Sequence, residues 1–350
     1  MFQQGGNAFG AGAILGTTDD RALEIHVHGS RAMRFEPDAI SPNLIGGSPA
    51  NIVGAGVRGA TIGGGGIPPE LAGYLNNVTD DFGTVAGGSG NQAGDDAGST
   101  SDAAHATVGG GLDNFATGDR STIAGGNAGF ASGAFSSIAG GNINRATGTA
   151  STVAGGQDNL ASGVFSFAAG QRAKATADGA FVWSDHRSFD FGTSTANSFH
   201  VRATGGIRFV AAIGAGSGAP LQYCDLAPGV VGWQCFSDRE SKENYRPVDS
   251  RDVLDRLASM PLYSWTVRGI DDAPRMLGPT AQDFHAAFGL GGDRRMVATL
   301  NLDGVALAAI QGLNAKLEAR NTALEQALQA QQRELAALRR QVAELARSRR

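Results

Sequence analysis

The sequence predicts a mainly β protein: a repetitive β-roll of 15-residue coils, a β neck, then a small α+β domain ending in a long coiled-coil helix. Three observations lead there. Glycine takes 53 of 350 positions, about twice its usual share. A short apolar motif that begins near Thr84 returns every fifteen residues from 107 to 170. A heptad with two apolar seams runs from Leu307 to Leu345.

Glycine enrichment also occurs in collagen and in disordered chains. No Gly-X-Y triplet holds here, which excludes collagen. Val, Ile and Phe recur at set places and the net charge is only −5, which argues against disorder. That charge carries no nucleic-acid footprint. No apolar run approaches the ~20 residues of a membrane span, and Met1-Phe-Gln-Gln-Gly-Gly is not a signal peptide. The expectation is a fragment, or a chain that reaches its destination without such a signal. The expected order is an N-terminal β region at 1–80, head repeats at 81–180, a neck at 181–236, an α+β domain at 237–305 and a coiled coil at 306–350.

In the first region, Leu23 to His28 and Ala32 to Phe35 read as strands between Pro- and Gly-rich turns. His26 and His28 then share a strand face, but no third ligand is in view, so the reading is two ordinary exposed histidines. Gly54-Ala-Gly56-Val-Arg-Gly59 matches GxGxxG, yet Ala-Thr-Ile-Gly-Gly-Gly-Gly-Ile-Pro-Pro follows it and cannot form the helix that would hold a pyrophosphate. No cofactor and no metal are expected.

The repeat shows as Val108, Ile123, Ile138, Val153 and Ala168, fifteen apart, echoed by Ala116-Thr-Gly118, Ala131-Ser-Gly133, Ala146-Thr-Gly148 and Ala161-Ser-Gly163. A unit with two strand signals and two Gly turns is one coil of a solenoid. Alternation sends Val and Ile inward and Ser and Thr outward, with glycine expected at each corner. Val85 precedes Val108 by 23, so a loop should bulge around Gly94–Ala104. These units resemble the head repeats of trimeric autotransporter adhesins, which implies a left-handed roll packed as three chains. They contain no carboxylate pair that looks like a glycosidase site, and a binding or spacer role is expected, with a host surface or glycan as candidate ligand.

Phe181-Val-Trp183, Ser198 to Arg202 and Gly206 to Val210 read as neck strands. Cys224 and Cys235 could close a small loop in an oxidising compartment, and would stay thiols in cytosol. After Phe236 the sequence gains charge and helical period. Ser250 is the expected cap of a helix starting at Arg251, Pro261 to Trp265 a strand, and Leu277 to Phe284 the approach to a short helix ending near Gly289. Asn301-Leu-Asp-Gly304 introduces the last helix. Its seams are Leu307, Asn314, Asn321, Leu328, Leu335, Val342 and Ile310, Leu317, Leu324, Gln331, Leu338, Leu345. The Arg-rich run from Arg339 to Arg350 suits a helix C-terminus.

Ser237 and Lys242, read alone, are a turn residue and a solvated lysine. Ser237-Asp238, Lys242-Glu243-Asn244, Gly278-Pro-Thr-Ala-Gln-Asp283, Leu302-Asp-Gly304 and the terminal heptads together resemble the C-terminal intramolecular chaperone domain of endosialidases and phage tail fibres, the self-cleaving S74 peptidases. The resemblance covers about residues 237–325. It implies a homotrimeric fibre or adhesin, on a virion or a bacterial surface, that assembles through this domain and then cuts itself once at Phe236–Ser237. Ser237 would be nucleophile and Lys242 base, with Asn244 or backbone N–H groups as candidates to steady the oxyanion. A rival reading is an uncleaved adhesin with a permanent stalk.

Overall fold

The structure is a computed structural model that describes residues 14–71 and 73–348. The readings on Met1–Gly6 and on the final Arg349 and Arg350 lie outside these residues. The chain divides into two compact units, Met1–Phe236 and Ser237–Arg350.

The first unit is a β-solenoid. Two sheets, of twelve and nine strands, run along it. Most strands in the repeats are two residues long, such as Thr122–Ile123 in one sheet and Phe130–Ala131 in the other. Each pairs in parallel with its equivalent one coil away: Ile123 with Val108 and Ile138, Ala131 with Ala116 and Ala146. Such short strands hold because every coil donates to the next, as in Thr122 N–H to Ser136 O (2.9 Å) and Ala124 N–H to Ile138 O (2.9 Å).

Inside, each coil has one branched residue facing one alanine. Val85, Val108, Ile123, Ile138 and Val153 are fully buried, as are Ala93, Ala116, Ala131, Ala146 and Ala161. The small alanine lets the two sheets approach, so the roll is thin. Threonine or serine precedes each branched residue and lies nearer the surface, as alternation requires.

A second internal feature escaped the sequence reading. Asn76, Asn91, Asn114, Asn144 and Asn159 are buried in one column. Each Asn in it accepts, through its side-chain oxygen, the N–H one coil on: Asn91 N–H to Asn76 Oδ1 (3.1 Å), Asn114 to Asn91 (3.1 Å), Asn159 to Asn144 (3.0 Å). Their amides donate to turn carbonyls, as Asn159 does to Gly155 O and Gly170 O. The column satisfies backbone groups that the corners would otherwise strand. Its signal was available in the sequence as asparagines at the coil period.

Glycine does not build every corner. Gly111, Gly126, Gly141 and Gly156 take one corner at φ between +94° and +106°. At the opposite corner Arg120, Phe135, Ala150 and Phe165 hold φ of +53° to +60°. Their backbones are fixed by coil-to-coil bonds such as Phe135 N–H to Asp119 O (2.8 Å) and Phe165 N–H to Thr149 O (2.9 Å), which over-determine an otherwise unfavourable conformation.

The ladders extend beyond the stretch where the repeat is visible. Parallel pairing begins at Asn43–Gly46 with Thr61–Ile62 and continues to Phe181–Ser184 with Phe199–Arg202. The residues between Ala93 and Thr107 form the expected inserted loop. Leu23–Val27 and Ser30–Glu36 pair antiparallel at the start. The first of them ends before His28, which turns at φ +52°, so the two histidines share no strand face. His26 Nε2 instead meets Glu24 Oε2 at 3.0 Å, a contact that raises the imidazole pKa. The GxGxxG match lies in a turn between strands, with no helix. The unit ends in an antiparallel sheet of Ile207–Ile213, Pro220–Leu226 and Gln234–Cys235.

The second unit packs α1 (Ser250–Ser259), α2 (Ala281–Phe288) and the start of α3 (Thr299–Ser348) around Phe284, Met260 and Val305. A hairpin of Tyr263–Trp265 and Met276–Gly278 lies between the first two helices in sequence. The cap of α1 is Asp249 rather than Ser250: its carboxylate accepts from Arg251 and Asp252 N–H, leaving Ser250 as the first helical residue. Thr280 caps α2 and Gly289 closes it in the left-handed region. Asn301 to Gly304 does not precede the last helix but lies within α3, because Asn301 and Leu302 N–H already bond to Ala298 O. Gly312 is where α1 crosses α3; a Cβ there would sit 2.1 Å from Ser250 O.

Candidate functional site

The boundary between the units falls at Phe236/Ser237. On the first side, Phe236 N–H donates to Tyr223 O (2.9 Å) and the two rings stack at 5.1 Å. Cys224 and Cys235, cross-strand partners, are joined in a disulfide. Gln234 pairs with Asp225 beside them.

On the second side, residues 237–245 form a turn with no helix or strand, and its hydrogen bonds explain its shape. Asp238 accepts from Glu240 N–H through Oδ1 (3.0 Å) and from Ser241 Oγ through its carbonyl (2.7 Å). Arg239 O accepts from Lys242 N–H (3.2 Å) and from the Tyr245 hydroxyl (3.0 Å), while the Arg239 guanidinium lies over the Tyr245 ring. This winding returns the lysine to the start of the turn. Lys242 Nζ donates to Ser237 Oγ and also to Ser237 O (3.2 Å).

The structure thus brings Ser237 and Lys242 together. It does not bring Asn244 to them: Asn244 sits at φ +59° and makes no hydrogen bond to either. The bracing role of Asp238, Ser241 and Tyr245 in this turn was not legible in the sequence, because a short polar stretch has no periodicity to mark its contacts. A cavity of about 410 Å³ in this unit, lined by Val248, Val253, Phe288 and Leu300 among others, contains neither Ser237 nor Lys242. Both side chains are exposed in the single chain. A hydroxyl against an amine is the pairing that a serine–lysine dyad requires.

In the first unit, Asp80, Asp95 and Asp102 bring three carboxylates within 4.8 Å of one another at the inserted loop. Burial pushes the Asp80 carboxyl up, against the opposing hydrogen bonds from Asp95 N–H and Thr79 Oγ1. No sequence spacing announced this group.

Residues 237–290 match the family model Peptidase_S74, described as chaperone of endosialidase. The class so defined is a β-solenoid protein with a C-terminal segment similar to the endosialidase chaperone. The resemblance drawn from Ser237, Lys242 and the blocks after them is borne out over those 54 residues. No curated protein matches the chain. Among the described residues no helix is long and apolar enough to cross a membrane.

Proposed function

We propose that this is a trimeric, tail-fibre-like or adhesin-like protein whose second unit drives assembly of the solenoid and then cuts the chain once between Phe236 and Ser237. The observation that carries the reading is Lys242 Nζ bonded to Ser237 Oγ at the boundary between the two units. In the proposed step the amine takes the hydroxyl proton as Oγ bonds to the Phe236 carbonyl carbon. The Phe236–Ser237 C–N bond then breaks, its nitrogen receiving that proton, and an ester remains. Water hydrolyses the ester, leaving a Phe236 carboxylate and a free Ser237. Asn244 makes no hydrogen bond to either residue, which leaves backbone N–H groups as the candidates to meet the oxyanion.

The exposure of both groups fits a reaction that waits for assembly. A lysine works as a base only where water is excluded around its amine, and one chain provides no such shelter. Along α3 the seam residues Leu317, Leu324, Leu328, Leu335 and Leu338 are about half exposed, from 49% to 57%. A seam of that length without cover fits parallel copies of the same helix. Three copies meeting there would set the stagger of three thin solenoids, which on their own have few local contacts to guide them.

Expression of the full chain tests this. Wild type should yield fragments 1–236 and 237–350 by intact mass, and a trimer by light scattering. Ser237→Ala and Lys242→Ala should yield trimers of uncut chain. Wild-type trimer that stays uncut over days would overturn the proposal and favour a permanent stalk.

A further inference from the structure

The cut proposed above leaves Phe236 as a chain end, and that end is poorly built for survival. Its strand, Gln234–Cys235, is two residues long, exposed, and at the edge of a three-stranded sheet. Chain ends held only by a short edge strand fray. What opposes fraying is concentrated on the last three residues. Gln234 pairs with Asp225, Cys235 is bonded to Cys224, and Phe236 uses its N–H and its ring on Tyr223. Tyr223 is itself backed by Arg208, whose guanidinium lies 4.4 Å from the ring centre and is bidentate to Asp225. Of these holds only the disulfide is covalent, and it sits one residue before the cut.

We propose that Cys224–Cys235 is a redox-controlled staple for the chain end that cleavage creates. The inference rests on the cleavage reading for its timing, and on the sheet alone for its mechanics. In a reducing compartment the pair would be two thiols and the end would open and close freely. On transfer to an oxidising one, a small disulfide such as oxidised glutathione closes it. One cysteine thiolate attacks that disulfide and releases one thiol; the second cysteine displaces the other. Two cysteine thiols are oxidised, one disulfide is reduced to two thiols, and the balance is complete. The matured fibre end is then locked only after it leaves the cell.

Hydrogen exchange of the whole protein, read by mass spectrometry, tests the staple. In the oxidised state, amides of residues 233–236 should exchange about tenfold more slowly than after treatment with a thiol reductant. Residues 107–153 should be unchanged. Untreated Cys224→Ser/Cys235→Ser should behave like the reduced protein; if that variant does not fold, reduction of folded wild type carries the comparison. Carboxypeptidase should remove Phe236 from cleaved, reduced protein and spare it in cleaved, oxidised protein. Equal exchange and equal trimming in both redox states would overturn the staple while leaving cleavage intact. An uncut chain in wild type, with redox-dependent exchange at 233–236 in wild type and Ser237→Ala alike, would instead overturn cleavage and retain the clamp.

Discussion

Position 129 holds a glycine where the coils before and after it hold buried asparagines. Asn114 Oδ1 still accepts Gly129 N–H at 2.9 Å, but Asn144 N–H lacks the side-chain acceptor that Asn159 N–H finds on Asn144. Gly129 is outside the left-handed region, and the nearest atom to an added Cβ is the Asn114 amide oxygen at 2.9 Å, the side-chain atom that accepts the Gly129 N–H. Gly129→Asn should therefore complete the column and add about 1 kcal/mol of stability. A higher thermal midpoint in calorimetry checks it; a lower one would mean that Asn114 cannot give way. Ser237 and Lys242 were legible as a pair because the blocks downstream are distinctive. Asp238, Ser241 and Tyr245 were not, since their role is a set of turn hydrogen bonds with no pattern in the chain.

The last coil of the solenoid closes on one carboxylate. Asp185 accepts from the Thr204 hydroxyl (2.7 Å) and N–H (2.9 Å), from Arg202 Nε (2.9 Å) and from Arg187 N–H (3.2 Å). These bonds, Thr204's first, hold its carboxyl far below the usual carboxylate range. A depressed folded-state pKa contributes stability that is complete above the unfolded value, near 4, and is lost as pH falls toward the folded one. Asp185→Asn should thus melt below wild type at about pH 6, and the gap should narrow at about pH 3. A gap that stays constant would show that the ionised form is not what matters. The solenoid strands themselves illustrate an element that exists only through its neighbours: two residues such as Thr122–Ile123 have no independent strand character. Their period located them in the repeats, while Phe181–Trp183 and Ser198–Arg202 read as neck strands rather than coils because the spacing there departs from fifteen and the motif from Val-Ala-Gly-Gly.

For the molecule as a whole, the proposed order is assembly, then cleavage, then closure of the new end. The seam leucines of α3 are exposed in one chain, so changing them should leave its fold intact while removing the proposed trimer. Leu324→Glu/Leu328→Glu should give a helical, folded, uncut monomer by circular dichroism, light scattering and intact mass. Efficient cutting of that monomer would separate the chemistry from assembly and require another source of shelter for Lys242.

The solenoid and the helical tail were legible in one dimension because each rests on a period, whereas Ser237 and Lys242 were linked only through the resemblance carried by the blocks downstream. Stacking and pairing settle the rest: the extent of the ladders, the hydrogen bonds of the asparagine column, the non-glycine corners, the cap at Asp249 and the grip of Tyr223 and Cys224 on the residues before Ser237. Those depend on which backbone group meets which side chain one coil or one strand away. A chain read in order does not carry that information until the coils stack.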